Sequence, residues 1–358
     1  MLEFWRAGGS GGSTAVEAAR GVEAEGWDGQ VFMDSQSLAR DPYALMAAWA
    51  TSTERIKLAT GVTNSLTRHP AVTAAAIATI HELSGGRAAL GIGRGDSALA
   101  YLGFAPARLA AFERALKDLQ ALLSGDEVAF GASVPGGDAP RLETLSLGDR
   151  PAAARLKWLP EGLPKVPLDV AATGPKVIEM AARVAEQVTF SVGAIPERLD
   201  WAIETARAAR AAAGLPDAGL SCGAQIIVVC HRDSAAALEM AASAVPPLAR
   251  FQVIQGAVAG PASADDKANF EGVRRGYDMT KHDKSMATNK LIGAALTPQF
   301  VDRFAIAGAP DHCTERLVQL ARRGLERVVV VGPGFYPDGD DGRLFSREVI
   351  PAVRAALA

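Results

Sequence analysis

The chain has 358 residues, 49% hydrophobic and 22% charged, with a formal net charge of −3. That balance, without a basic cluster, argues against nucleic acid or an anionic membrane surface as partner and leaves a small molecule as the expected ligand. Cys222, Cys230 and Cys313 are too few and scattered for a disulfide framework or a zinc site, no apolar run reaches the ~20 residues of a membrane helix, and residues 1–12 lack signal-peptide character, so a cytoplasmic protein is expected.

From the first residues onward, a short β-branched or apolar run, a turn and a longer Ala-rich amphipathic stretch alternate, as in a parallel sheet wound with helices. The predicted strands are Glu3–Ala7, Gln30–Asp34, Ile56–Val62, Ala88–Gly93, Leu168–Thr173, Gln187–Val192, Cys222–Val229 and Arg327–Val331. Helices are predicted over Ser13–Glu25, Pro42–Ser52, Pro70–Leu83, Ala107–Leu123, Lys176–Ala185 and Pro196–Ala213. Pro70 and Pro196 stand in first turns, where the amide that proline lacks would be unpaired anyway. Eight such units predict an α/β protein folded as one (β/α)8 TIM barrel over residues 1–358, in preference to an open doubly wound sheet. Two stretches break the rhythm, about 127–165 before the fifth strand and 251–297 before the eighth, and such segments are usually lids or binding loops.

A barrel of this kind builds its site at the carboxyl ends of the strands. Met33-Asp34-Ser35-Gln36 ends the second strand and offers a carboxylate, with a helix N-cap as the competing role for Asp34 or Ser35. Gly61-Val62-Thr63-Asn64 leaves the third. Its glycine permits close backbone approach, and Thr63 and Asn64 supply uncharged donors and acceptors; an ordinary turn explains it equally well. Gly91-Ile92-Gly93-Arg94-Gly95-Asp96 ends the fourth. There the glycines let backbone cross the face of a planar ring, and Asp96 projects a carboxylate into the mouth as acid or hydrogen-bond partner. The pattern has neither the spacing of a dinucleotide-binding GxGxxG nor the Lys and Ser/Thr of a P-loop. After the fifth strand, Thr173-Gly174-Pro175-Lys176 combines free helix-start amides with a hydroxyl and a cation, a place for phosphate; a solvated lysine after a Gly-Pro start is the alternative. Glu3 is a third candidate carboxylate. In the second insertion Arg274, Arg275, Tyr277 and His282 fit either a cover over an anionic ligand, with His282 assisting proton transfer, or a solvated helix.

Taken in order, these stretches resemble the luciferase-like oxidoreductases, and more narrowly the methylenetetrahydromethanopterin reductase branch that uses coenzyme F420. The resemblance is most specific over GVTNSLTRHPAVTAAAIATIHELSGGRAALGIGRGD, Gly61 to Asp96, and is supported by AATGPKVIEMAARVAEQVTFSVGA, Ala171 to Ala194. It implies hydride transfer between F420 and a small organic substrate, with FMN as the alternative cofactor and no metal. It also implies that Gly61-Val62 is a non-prolyl cis peptide backing the deazaflavin ring, with Gly93 beside it, and that Thr63 and Asn64 meet the ring or its side chain. Thr173, Gly174, Pro175 and Lys176 would receive the cofactor phosphate, Gly193 would lie close to the cofactor, and Asp34 and Asp96 would manage protons. Glu3 is the nearest match to a first-strand glutamate of the methanopterin reductases, and a homodimer is implied. Related glucose-6-phosphate dehydrogenases carry a histidine after the second-strand aspartate and a glutamate at the fourth strand. Ser35 and Asp96 stand there in this chain, which puts sugar-phosphate chemistry in doubt. The competing readings are an FMN-dependent monooxygenase on the same barrel and a noncatalytic flavin-binding barrel.

Overall fold

Side-chain alternation along the last strand already separates two layers. Val328 and Val330 pack among helix residues in the main core, whereas Val329 joins Trp5, Ala7, Ala59 and Ala89 in a small cluster made by strands alone. The computed structural model, which describes residues 2–8, 11–130, 140, 142–284, 292, 294–332 and 343–358, resolves this into a barrel. Its strands are β1 (Glu3–Ala7), β2 (Gly29–Phe32), β3 (Lys57–Thr60), β4 (Ala88–Gly93), β5 (Leu168–Ala172), β6 (Gln187–Phe190), β7 (Ser221–Cys230) and β8 (Arg327–Val331). Each pairs in parallel with the next, and β8 pairs back onto β1 with Trp5 opposite Val329, so the sheet closes. The expected (β/α)8 architecture is therefore present.

The helices form where the apolar spacing is right. Along Leu109–Leu123, Phe112, Leu116, Leu119 and Leu123 fall on one face and are buried, while Lys117 stays outside with Glu113. None of the described helices is long and apolar enough to cross a membrane.

Several elements differ from the expectation for physical reasons. The third strand stops at Thr60 rather than Val62, and pairing resumes at Thr63–Asn64 against Ile92 and Gly93. Helix Ser234–Ala249 went unpredicted because Pro246 and Pro247 stand inside it, although Asp233 caps its start through the Ala235 and Ala236 amides. The segment before β8 holds helix Ala264–Gly276, started by a Ser263–Asp266 capping box, helix Pro298–Phe304 and a short strand, Ile306–Gly308, paired with the end of β7. The segment before β5 carries an antiparallel pair, Val128–Ala129 with Ala153–Ala154. Within these two predicted insertions, residues 131–139, 141, 285–291 and 293 lie outside the described residues.

The two ends of the barrel interior are filled differently, and this locates the site. At the amino ends, Arg327 donates to Gln187 Oε1 at 2.9 Å, Asp169 Oδ2 at 3.0 Å and Thr189 Oγ1 at 2.9 Å. Trp5 lies over Gly29 so closely that a Cβ there would sit 2.3 Å from the indole. Glu3 belongs to this closed end. It binds Lys57 and accepts from Trp5 Nε1 at 2.8 Å; burial opposes its charge, yet these partners hold its carboxyl below the usual range. The expectation of Glu3 as a proton donor at the mouth is thus corrected: it opens β1, at the wrong end. Just past the carboxyl end of β3 stands Gly61 and at that of β4 Gly93, and these small residues help leave the mouth open.

His81 joins helix Pro70–Leu83 to the barrel, taking the Ala88 amide on Nδ1 at 3.2 Å and placing Nε2 3.0 Å from the Pro164 carbonyl. Burial lowers its pKa, so the folded state holds it neutral. The unfolded chain takes up the proton first as pH falls below about 6.5, so stability present at neutral pH declines until the folded-state pKa is passed. Urea midpoints at pH 7.5 and 5.5 should show this fall, and His81→Gln should flatten it.

Candidate functional site

The open end of the barrel encloses a cavity of about 850 Å³. One wall comes from the ends of β3 and β4. A Cβ on Gly61 would meet Val31 Cβ at 2.5 Å, one on Gly91 would lie 1.9 Å from the Thr60 carbonyl oxygen, and one on Gly93 would press Val62 Cγ2 at 3.1 Å. Glycine is demanded here by close backbone approach, and the wall is backbone rather than side chain. The Gly61–Val62 peptide is cis, and Gly61, Val62 and Gly93 all line the cavity.

Asn64 also faces the cavity. Its Oδ1 accepts from the Leu66 and Thr67 amides at 3.0 Å each, while among the described residues its buried Nδ2 has no partner, nor do the nearby Ser65 and Thr67 hydroxyls. Thr63 does not line the cavity: it is buried behind Asp34, donating to Asp34 Oδ2 at 2.6 Å. It steadies a wall residue instead of meeting a ligand.

Asp34 lines the cavity at 5% exposure and caps no helix. Arg68 Nη1 binds it at 2.5 Å and reaches Asp41 with Nη2 at 2.8 Å, its guanidinium 4.8 Å from the Tyr43 ring. Burial works against the Arg68 charge, but Asp34, Tyr43 and Asp41 outweigh it and raise its pKa. Burial also pushes the Tyr43 hydroxyl up to about 12. The neighbouring Ser35 hydroxyl shares a hydrogen bond with Ser97 at 3.0 Å, tying the β2 and β4 loops together.

Asp96 lines the cavity too, but not as the unattached carboxylate expected. Arg250 grips it with both terminal nitrogens, Nη1 to Oδ1 at 2.7 Å and Nη2 to Oδ2. Arg250 is 6% exposed and lies 4.6 Å from the Phe251 ring and 5.1 Å from the Tyr277 ring. Burial opposes its charge and Asp96 prevails, so its pKa is raised. The sequence pointed at the Asp96 position and missed its partner, because Arg250 follows the proline-marked helix at the edge of a segment read as an insertion.

Beyond β5, Thr173, Gly174, Pro175 and Lys176 all line the cavity. Gly174 caps helix Pro175–Val184 with no side-chain hydrogen bond; Pro175 has no N–H and the Val177 amide turns back to the Gly174 carbonyl at 3.1 Å, so the first-turn amide left for a ligand is that of the exposed Lys176. Gly193 is corrected: it does not line the cavity, and its φ of +79° and the Phe304 ring, 2.6 Å from where a Cβ would stand, explain the glycine by packing. Of the second-insertion residues, His282 lines the cavity and hydrogen-bonds the Tyr277 hydroxyl, while Arg274 and Arg275 pair with Glu271 on an exposed helix face. Arg198, also unpredicted, is fully buried and holds the Gln252 to Pro261 stretch that closes one side of the cavity.

The chain matches a luciferase-like monooxygenase family model over residues 4–327. It is 27% identical over 339 residues to a 5,10-methylenetetrahydromethanopterin reductase of Methanolobus tindarius, covering 93% of this chain and 94% of that one. It is 29% identical over 322 residues to an F420-dependent glucose-6-phosphate dehydrogenase of Beutenbergia cavernae, covering 87% and 82%. The solved coenzyme F420-dependent tetrahydromethanopterin reductase of Methanopyrus kandleri superposes with a TM-score of 0.71 at 21% identity over 98% of each chain, a likeness of fold. With a match spanning nearly the whole barrel, this chain belongs to the luciferase-like monooxygenase family.

Proposed function

We propose that this chain is an F420-dependent oxidoreductase that moves a hydride between the deazaflavin and a small organic substrate. The observation that carries the reading is a wall of close-packed backbone, Gly61, Val62 and Gly93, facing the same cavity as the helix start at Gly174–Lys176. The residues fit a planar ring with an anionic tail: the glycines provide a surface that any Cβ would spoil, and the buried, unpartnered Asn64 amide supplies a hydrogen-bond donor. The F420-dependent relatives favour a deazaflavin over FMN.

When bound, the deazaflavin supplies a ring carbon that gives or accepts hydride. The protein's part is orientation. Gly61, Val62 and Gly93 would back the ring, and Asn64 would donate to it. Thr173, the Lys176 amide and the Lys176 ammonium would hold the phosphate. Asp34, held through Oδ2 by Arg68, and Asp96, held through both oxygens by Arg250, shape the substrate side. A carbonyl substrate would gain hydride at carbon and a proton from water at oxygen. A cytoplasmic homodimer completes the reading, and sedimentation equilibrium tests the assembly.

Lys176→Glu should weaken F420 binding at least about tenfold, since it replaces attraction to phosphate by repulsion at an exposed site that folding does not need. Quenching of F420 fluorescence reads this directly. Turnover is tested anaerobically by following reduced F420 with a panel of ketones and enones. Oxygen consumption with reduced FMN, without F420 turnover, would replace this reading by a monooxygenase; bound cofactor without hydride exchange would leave a noncatalytic barrel.

A further inference from the structure

Three carboxylates line the cavity, Asp34, Asp96 and Asp169, and each is paired with an arginine: Arg68 at 2.5 Å, Arg250 at 2.7 Å and Arg327 at 3.0 Å. The lining cations with no carboxylate partner among the described residues are Arg94 and Lys176. Both follow neighbouring strands, β4 and β5, on the side given to the cofactor phosphate, and Arg94 spends its Nε on the Ala107 carbonyl at 2.7 Å. Charge is therefore uncompensated where a cofactor anion is expected and cancelled elsewhere, by Arg68 and Arg250 at the mouth and by Arg327 on the floor of the cavity.

Arg250 is the decisive group. A buried arginine at a cavity wall would ordinarily recognise a carboxylate or phosphate with its two terminal nitrogens. Here both are taken by Asp96, and the Phe251 and Tyr277 rings flank the guanidinium, so no substrate anion reaches that fork without expelling Asp96. Met33, Leu38, Leu248 and Ile254 add apolar surface to the cavity lining. An ionised group placed there loses water and gains no counter-charge, whereas apolar surface gains from burial.

Building on the proposed redox reading, we propose that the substrate is an uncharged, largely apolar molecule and that the Asp96–Arg250 pair excludes anions from its subsite. Asp96→Asn keeps the shape and one hydrogen bond but frees the Arg250 charge, so it should shift preference toward anions.

The test compares 4-methylacetophenone with 4-acetylbenzoate, which exchange a methyl for a carboxylate on one ring. Each is measured by dissociation constant from ligand-observed NMR on the chain without cofactor, and by kcat/KM with reduced F420. In the wild type the neutral ketone should be preferred at least about tenfold in binding, and Asp96→Asn should lower that ratio at least about fivefold. Equal or tighter binding of 4-acetylbenzoate by the wild type would overturn the proposal; so would an unchanged ratio in a folded Asp96→Asn protein. The wild-type comparison decides by itself if the variant does not fold. Neutral preference in binding without turnover would defeat the redox reading and leave this inference standing, while turnover that favours 4-acetylbenzoate would do the reverse.

Discussion

Gly91→Ala should cost about 3 kcal/mol or more of stability and weaken cofactor binding at least about tenfold. The new methyl carbon would stand 1.9 Å from the Thr60 carbonyl oxygen, and a backbone oxygen in a strand cannot swing aside as a side chain does. Strands β3 and β4 must separate, which also strains the Thr60 hydroxyl bond to the Gly91 carbonyl, 2.6 Å long and buried. The wall is lost with the register that makes it. Gly21→Ala is the matched control: it lies in helix Ala15–Ala24 with nothing within 4 Å of the added carbon, and a gain of about 0.5–1 kcal/mol is expected. Urea denaturation of both variants, with F420 titration of the folded fraction, measures the contrast.

Arg198→Ala is expected to cost about 3–5 kcal/mol. The side chain is 0% exposed and donates to the Pro261 carbonyl at 2.7 Å, Gln252 Oε1 at 2.5 Å and the Ala259 carbonyl at 2.8 Å. Its truncation would leave these acceptors unpaired and open a void beside Phe270, whose ring lies 5.3 Å from the guanidinium. Burial brings the arginine down to about 10, so at neutral pH it is still charged and its donors are all present. Ala259 closes the cavity opposite Gly174, so the same variant should weaken cofactor binding along with stability. Arg198→Lys should recover part of the stability at most, because one ammonium cannot span three acceptors held by a planar fork. Chemical denaturation and fluorescence titration across the two variants separate these effects.

How legible the molecule was in its sequence depends on the range of the physics involved. The strands and most helices are written locally, in β-branched runs and in spacings such as Phe112, Leu116, Leu119 and Leu123, and the closed barrel follows from their number and order. The glycine-rich strand ends and the Gly174–Lys176 helix start were equally local signals, and the structure puts them on one cavity. Partners distant in sequence were not legible. Asp34 stands out as a strand-end carboxylate, but nothing near it announces that Arg68 and Thr63 will occupy it. Asp96 is 154 residues from Arg250, with three barrel strands between them, and Arg198 sits in an ordinary helical pattern with its carbonyl partners far downstream. Glu3 and Gly193 misled for a related reason. A glutamate at a strand start and a glycine after a strand look alike whether they face a ligand, Lys57 or the Phe304 ring.

The central claim is that the glycine wall and the helix start beyond β5 together hold a deazaflavin. Side-by-side equilibrium titration of the purified chain with F420 and with FMN, at physiological ionic strength, tests it most directly. The account predicts saturable F420 binding at least about tenfold tighter than FMN, weakened in Lys176→Glu. Tight FMN binding with no measurable affinity for F420 would contradict it.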